Sequence, residues 1–372
     1  MFKTFLQASL LLRLLWIPVL AVPAREARPD VAIGAIRWDA WHGDASEVGQ
    51  AVQRSLASPR WQWRLPFFAT VNANGTVTIA GDTDDIMARE IAYAKAAGID
   101  YWAFLAYDYE SAMSRALHRY LKNPSRDAVH FCMIADVRQW RPERVAAEVA
   151  RFAELMTLPN YQTVLRGRPL FYLLNLTPDA IEKTPGGNAR FRSAIDALRS
   201  AARSRGLADP YCVVMTPWPD KAKAFADAAG CDAISAYAVE AGGKGAPFVE
   251  LTSYVENFWA RCAATGAKVV PLAMTGWDRR PRVETPVFWE HNEGWSAEIE
   301  RFYRAPTPAQ IARHIRQATD WIQTNASTAE AKTVIVYAWN EHDEGGWLCP
   351  TLGEGDARVR ALAELFSPPK GR

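Results

Sequence analysis

The sequence predicts a single (β/α)8 barrel, preceded by an N-terminal signal segment and carrying a β-hairpin insertion after the first strand. Three observations carry that expectation. Apolar, β-branched runs of strand length alternate with stretches of helical periodicity, and eight such units fit between residues 30 and 368. No G-x-G-x-x-G follows the first strand, so a doubly wound open sheet, the alternative with the same alternation, is the second reading. Aromatic and acidic residues gather where the expected strands end, the face on which a barrel carries its chemistry.

The elements follow in order. Lys3, the apolar stretch Phe5 to Val22, and Val22-Pro23-Ala24 before Arg25-Glu26 form a secretory signal pattern with cleavage near Ala24. Export to a secreted or periplasmic location is expected. Arg13 interrupts the apolar centre, which leaves an uncleaved anchor as the other reading. No other stretch approaches ~18 uninterrupted apolar residues, so no stable membrane insertion is expected after cleavage. Val31 to Ile36 reads as the first strand, followed by a helix from Ser46 to Ala57. Asn74-Gly75 within Leu65 to Ile79 marks the hairpin, because such turns need φ > 0. Thr83 caps a helix whose apolar positions Ile86, Ile91 and Ala94 recur at helical spacing up to Gly98. The remaining strands are expected at 99–106, 129–135, 170–174, 211–215, 233–237, 268–274 and 333–338. Helices are expected at 111–121, 142–155, 188–204, 221–229, 248–264, 307–323 and 357–365. No internal repeat or low-complexity linker argues for a second domain.

At 49% hydrophobic and 23% charged residues, the composition is that of a globular protein, and a net charge of +2 gives no electrostatic footprint for nucleic acid. The unusual feature is aromatic: 15 Trp, 12 Tyr and 15 Phe. Indoles suit the C–H faces of sugar rings, and they equally fill a large core. The five cysteines are scattered without C-x-x-C or Cys/His spacing, which is neither a disulfide framework nor a zinc pattern. One disulfide, of undetermined partners, is compatible with that count.

The last expected strand, Thr333 to Ala338, breaks at Trp339-Asn340-Glu341-His342-Asp343-Glu344-Gly345-Gly346. It delivers Glu341 and Glu344 to one mouth. Paired carboxylates in a shielded cleft, one protonated and one ionised, are what acid/base work on a glycosidic bond requires. The bland alternative is a polar loop with solvated acids. Other strand ends add Trp38, Asp39, Trp41 and His42; Tyr107, Asp108 and Tyr109; Asp136; Asn175; Trp218; Tyr237; and Trp277, Asp278 and Arg280. Of these, Trp38, Trp41, Tyr107, Asp136, Trp218, Tyr237, Trp277 and Asp278 are the expected substrate contacts, with Asn340 and His342. Asp136 serves a helix cap as readily as a ligand.

Ala338-Trp339-Asn340-Glu341-His342-Asp343-Glu344-Gly345 resembles the NEWxEG signature of glycoside hydrolase family 99, the endo-α-mannosidases, and of the related WbsX-type proteins. Ala94-Lys95-Ala96-Ala97-Gly98-Ile99-Asp100 resembles their AKxAGID passage. Asn160-Tyr161 with Gly167-Arg168-Pro169-Leu170 resembles their NYxxVxGxPV entry to the fourth strand. Gly276-Trp277-Asp278 with Pro281-Arg282 resembles their GWDNTPR loop after the seventh strand. The resemblance spans most of the chain beyond the leader. It implies retaining hydrolysis of an α-mannoside-like bond through a 1,2-anhydro intermediate, without metal or organic cofactor, on a glycan or polysaccharide. It also implies roles. Glu341 would help deprotonate the 2-hydroxyl, and Glu344 would protonate the leaving oxygen and then activate water. The chain departs from the pattern at His342, Asp343 and Cys349. Asp343 adds a third carboxylate, expected to raise the pKa of Glu344 or compete for its role. It also admits a metal reading with Glu341, His342, Asp343 and Glu344 as ligands. A monomeric hydrolase leads the expectations. A barrel that binds carbohydrate without catalysis and a WbsX-type glycosyltransferase or polysaccharide-biosynthesis protein are the alternatives, the latter without any nucleotide-phosphate cradle in the sequence.

Overall fold

The computed structural model describes residues 30–137, 140, 142–174, 186–290 and 295–366. The expected signal segment and Asn175 lie outside these residues. The strands, in chain order, are β1 (Ala32–Arg37), β2 (Ala69–Val71), β3 (Val77–Ile79), β4 (Tyr101–Leu105), β5 (His130–Asp136), β6 (Thr163–Val164) and β7 (Arg168–Leu174). They continue as β8 (Tyr211–Met215), β9 (Ala233–Ser235), β10 (Lys268–Val269), β11 (Leu272–Met274), β12 (Thr333–Tyr337), β13 (Asn340–Glu341) and β14 (Gly346–Trp347). The main sheet runs β10-β9-β8-β7-β5-β4-β1-β12-β11, all parallel along this path.

The two ends of that order are one stretch of chain. The strand expected over 268–274 divides at Val270-Pro271: β10 pairs with β9, and β11 pairs with β12. Proline has no N–H for a ladder, so the ladder lapses there. Its carbonyl still accepts from Ile335 N at 3.0 Å, and Val270 N donates to Ile234 O at 3.0 Å. The sheet thus curls until its ends meet, a TIM-like α/β arrangement with helices outside.

The helix starts are capped, at Thr83 as the sequence predicts. Thr83 accepts from Ile86 N at the start of Asp84–Ala96, and Thr307 forms a reciprocal capping box with Gln310 before Pro308–Thr324. β2 and β3 pair antiparallel across the turn at Gly75, whose φ is +80°. Inside the sheet, the Tyr101 hydroxyl bonds those of Tyr172 at 2.9 Å and Thr333 at 2.8 Å, so three buried polar groups satisfy one another. Gly34 makes room for this ring, since a Cβ there would lie 2.1 Å from Tyr101 Cζ. Trp102, Trp259, Trp339 and Trp347 are fully buried core residues. All five cysteines are free thiols. No helix among the described residues is long and apolar enough to cross a membrane.

Candidate active site

β12 is buried along its whole length, and the chain beyond it turns through the β13–β14 pair, in which Glu341 faces Gly346. The tip of this turn is pressed against the segment following β11. Gly276 has φ +146° and Gly345 φ +85°; a Cβ on Gly276 would lie 2.0 Å from Gly345 O, and one on Gly345 2.5 Å from Asp278 N. The close approach is sealed by Asp278 N donating to Glu344 O at 2.7 Å. Only glycine permits it. The consequence is that a short helix, Arg280–Glu284, carries Arg282 into contact with the glutamates.

Arg282, 3% exposed, is the hub. Its Nε donates to Asp343 Oδ2 at 2.7 Å and its Nη2 to Asp343 Oδ1 at 3.1 Å. Nη1 donates to Glu344 Oε1 at 2.5 Å and Glu290 Oε1 at 2.8 Å, while Glu341 Oε2 is 3.4 Å from Nη2. Arg279 adds a second cation: its Nη2 is 2.5 Å from Glu290 and its Nε 3.4 Å from Glu344. The Tyr237 hydroxyl donates to Glu341 Oε1, and the Tyr337 hydroxyl to Glu344 Oε2.

These contacts push the two glutamates apart electrically. Burial raises the Glu341 carboxyl well above the usual range, reinforced by the charges of Glu344 and Asp343 and opposed by Arg282 and the Tyr237 hydrogen bond. Burial also works against ionised Glu344, but Arg282 and Arg279 overcome it and hold this carboxyl below its ordinary value. Glu341 therefore keeps a proton where Glu344 is ionised. The expectation that Glu344 would be raised is corrected: the two arginines, with the hydrogen bonds of Tyr337 and Glu290, outweigh burial and hold it low.

The pair opens on a cavity of about 550 Å³ at the C-terminal ends of the strands. Trp38 follows β1, Leu105 and Tyr107 come from β4 and its end, Asp136 ends β5, and Leu174 and Met215 end β7 and β8. Trp218, Tyr237, Trp289 and Glu290 complete the wall with Arg282 and both glutamates. Trp38 Nε1 donates to the Tyr107 hydroxyl at 2.8 Å, fixing one wall, whereas Trp218 is 47% and Phe288 58% exposed at the rim. Apolar faces beside directional acids and hydroxyls can take a polyhydroxylated ring.

Five of the expected contacts do not line this cavity. Trp41 and His342 are buried behind it: the His342 ring lies between the Trp41 edge, 5.2 Å away, and Trp347, 5.9 Å away. Burial, with the charges of Arg358 and Arg64, pushes its pKa down to about 3. This also separates the His342 ring from the carboxylates of the metal reading, and among the described residues no His/Cys/Asp/Glu group has a metal-holding arrangement. Asn340 is structural, accepting from Trp38 N at 3.0 Å and donating to Asp39 at 3.1 Å. Asp278 is closed in by Arg64 and by Arg280, the latter at 2.7 and 2.8 Å. Trp277 packs on Tyr337 at 5.7 Å.

Arg282, Arg279, Glu290 and Tyr337 were not among the expected site residues. Tyr337 reads as one more apolar member of a buried strand. The Arg-Arg-Pro-Arg run over 279–282 was the signal for the others, because cations so close to a strand end need anionic partners.

No protein-family model matches the sequence, and no curated protein does. The fold is similar to that of the GH99 endo-alpha-mannosidase from Bacteroides thetaiotaomicron. In complex with Bis-Tris-propane, that structure matches with a TM-score of 0.55 at 10% identity, over 90% of this chain and 96% of that one. A second structure of the enzyme matches with a TM-score of 0.51 at 11% identity, over 90% and 95%. At such identity the likeness is one of fold.

Proposed function

We propose that the chain is an exported, retaining glycoside hydrolase acting on α-mannoside-like linkages of a glycan or polysaccharide, with Glu341 and Glu344 as its catalytic pair. The feature that carries this reading is the pair of adjacent buried glutamates opening on an aromatic-walled cavity, Glu344 ion-paired to Arg282 and Arg279 and Glu341 held by the Tyr237 hydroxyl, an asymmetry that splits their proton affinities. Binding alone needs no such split; glycoside cleavage needs an acid and a base together. One glutamate gives its proton to the leaving oxygen as the bond from C1 breaks. The other takes the proton of the 2-hydroxyl as O2 closes on C1. Tyr107, Trp38 and Trp218 would hold the ring, and Tyr237 and Tyr337 orient the carboxyls. The resemblance of the strand-8 motif and the fold likeness to an endo-alpha-mannosidase support the choice of bond.

The test is a screen of α-mannosides and related α-glycans, with the anomer first released followed by NMR. An α product released first is expected. A β product would overturn retention, and binding without turnover across the panel would overturn the hydrolase in favour of a carbohydrate-binding barrel.

A further inference from the structure

Tyr109 stands two residues beyond Tyr107, and at 61% it is the most exposed large apolar side chain among the described residues. Tyr107 lines the main cavity, but Tyr109 does not. Its ring packs on His118, centroids 4.2 Å apart, and the two line a second cavity of about 270 Å³. Two neighbouring helices build the floor. Leu117 and Leu121 lie one turn apart on Arg115–Lys122; Arg151 and Leu155 do the same on Pro142–Leu155, with Leu158 just past its end. Arg151 also ties this groove to the main cavity, because its Nη1 donates to the backbone carbonyl of Tyr107 at 3.0 Å. A single hydrogen bond spans the partition.

We propose that this groove is an accessory sugar site, in which Tyr109 and His118 hold one neutral hexopyranose unit of the glycan chain that enters the main cavity. The proposal rests on the carbohydrate part of the hydrolase reading and assigns no roles to the glutamates. An apolar floor with polar groups beside it suits a ring that has C–H faces and a rim of hydroxyls. Burial, and then the charge of Lys122, lowers the His118 pKa, so at neutral pH its ring offers one donor and one acceptor nitrogen. The Tyr109 hydroxyl does both, and the Glu154 carboxylate, also on the groove wall, accepts. Among the described residues no hydrogen bond engages the His118 ring and no cation pairs with Glu154, which disfavours an anionic sugar. The volume lies below the roughly 300–1,000 Å³ of sites for larger ligands, so the groove takes a single ring. Tyr107 and Tyr109 are at most about 7 Å apart along the backbone, a gap that a few linked rings cross. A chain already held in the cavity meets the groove at high effective concentration, so a weak contact there tightens long substrates and leaves short ones alone.

The test is NMR of the histidine rings, of which the chain has 6, with the His118 signals identified by their loss in His118→Gln. The probes are α-mannobiose and a long linear α-manno-oligosaccharide, added to the Glu344→Gln protein so that neither is consumed. The oligosaccharide should shift the His118 signals, and mannobiose should not. Adding Tyr109→Ala should weaken binding of the oligosaccharide about 3–10-fold and leave that of mannobiose within about twofold. An oligosaccharide that binds without moving His118, or an equal loss for both probes, overturns the accessory site and leaves the hydrolase reading standing. His118 signals that shift with protein concentration alone make the groove a contact between copies of the chain, and overturn the site as well. Failure of both probes to bind overturns the α-mannoside reading, and this site with it.

Discussion

Arg37 and Arg282 are both 3% exposed, yet they anchor opposite kinds of charge cluster. Arg37 bonds Asp39 at 2.8 Å and Glu90 at 2.7 Å, and its guanidinium lies 4.6 Å over the Trp102 ring. The carboxylates are tied off in turn, Glu90 by Trp339 Nε1 at 2.9 Å and Asp39 by Asn340 at 3.1 Å. That cluster clamps the helix Asp84–Ala96 to the β1 and β12 ends and has no opening on the main cavity. Arg282 meets Asp343, Glu344, Glu290 and Glu341, the last three on the cavity wall. The contrast teaches that burial of charge does not by itself mark a site. A cluster whose acids are tied off away from the cavity holds the fold, whereas one whose acids line a cavity can exchange a proton with what the cavity takes in.

The sharpest way to break this contrast is to remove one charged member from each cluster. Glu344→Gln should lower turnover by about 10²–10⁴-fold in a protein that still folds, with some loss of Tm because its carboxylate is the partner of Arg282, Arg279 and the Tyr337 hydroxyl. Full activity would return Glu344 to the scaffold. Arg37→Met should do the opposite. It strands two buried carboxylates and should cost about 3–5 kcal/mol in urea unfolding, with the specific activity of the folded protein near wild type.

A finer separation comes from pH. Glu341 is held above its unfolded value, so its contribution to stability is fully present in acid and is lost as pH rises through the folded value. Glu341→Gln should therefore raise Tm at neutral pH by about 2–4 °C, with the gain disappearing in acid. Asp39 obeys the same sign over a defined window. Burial lifts it from 3.8 to about 6 against the pull of Arg37, so its share of stability falls as pH rises through that range. Asp39→Asn should flatten the slope, and an unaltered slope would deny Asp39 that shift. The smallest effect belongs to the rim: Trp218→Ala should raise KM about 3–10-fold by removing an exposed stacking face, with stability within about 0.5 kcal/mol of wild type.

Much of the fold was legible because its signals are local. Thr83 announced its helix, Asn74-Gly75 its turn, and the apolar run over 333–337 a strand buried on both faces. The position of Glu341 and Glu344 just beyond that strand put them at the barrel mouth by the same local logic. The division of the seventh strand at Pro271 could have been expected from the missing N–H, but which neighbour pairs with each half depends on how the sheet curls. Aromatic composition could not sort Trp102 and Trp339, which fill the core, from Trp38 and Trp218, which line the cavity, because an indole suits either place.

By itself the sequence determined the order of strands and helices and the pair of glutamates delivered by the last strand, since backbone propensity, capping and periodicity act over a few residues. Only the tertiary structure decided what those glutamates are. Arg282 lies 59 positions from Glu341 and 62 from Glu344 in the chain, and it reaches them because Gly276 and Gly345 let two loops touch. Charge interactions depend on separation in space and on exclusion of water, and neither is set until the chain has closed on itself.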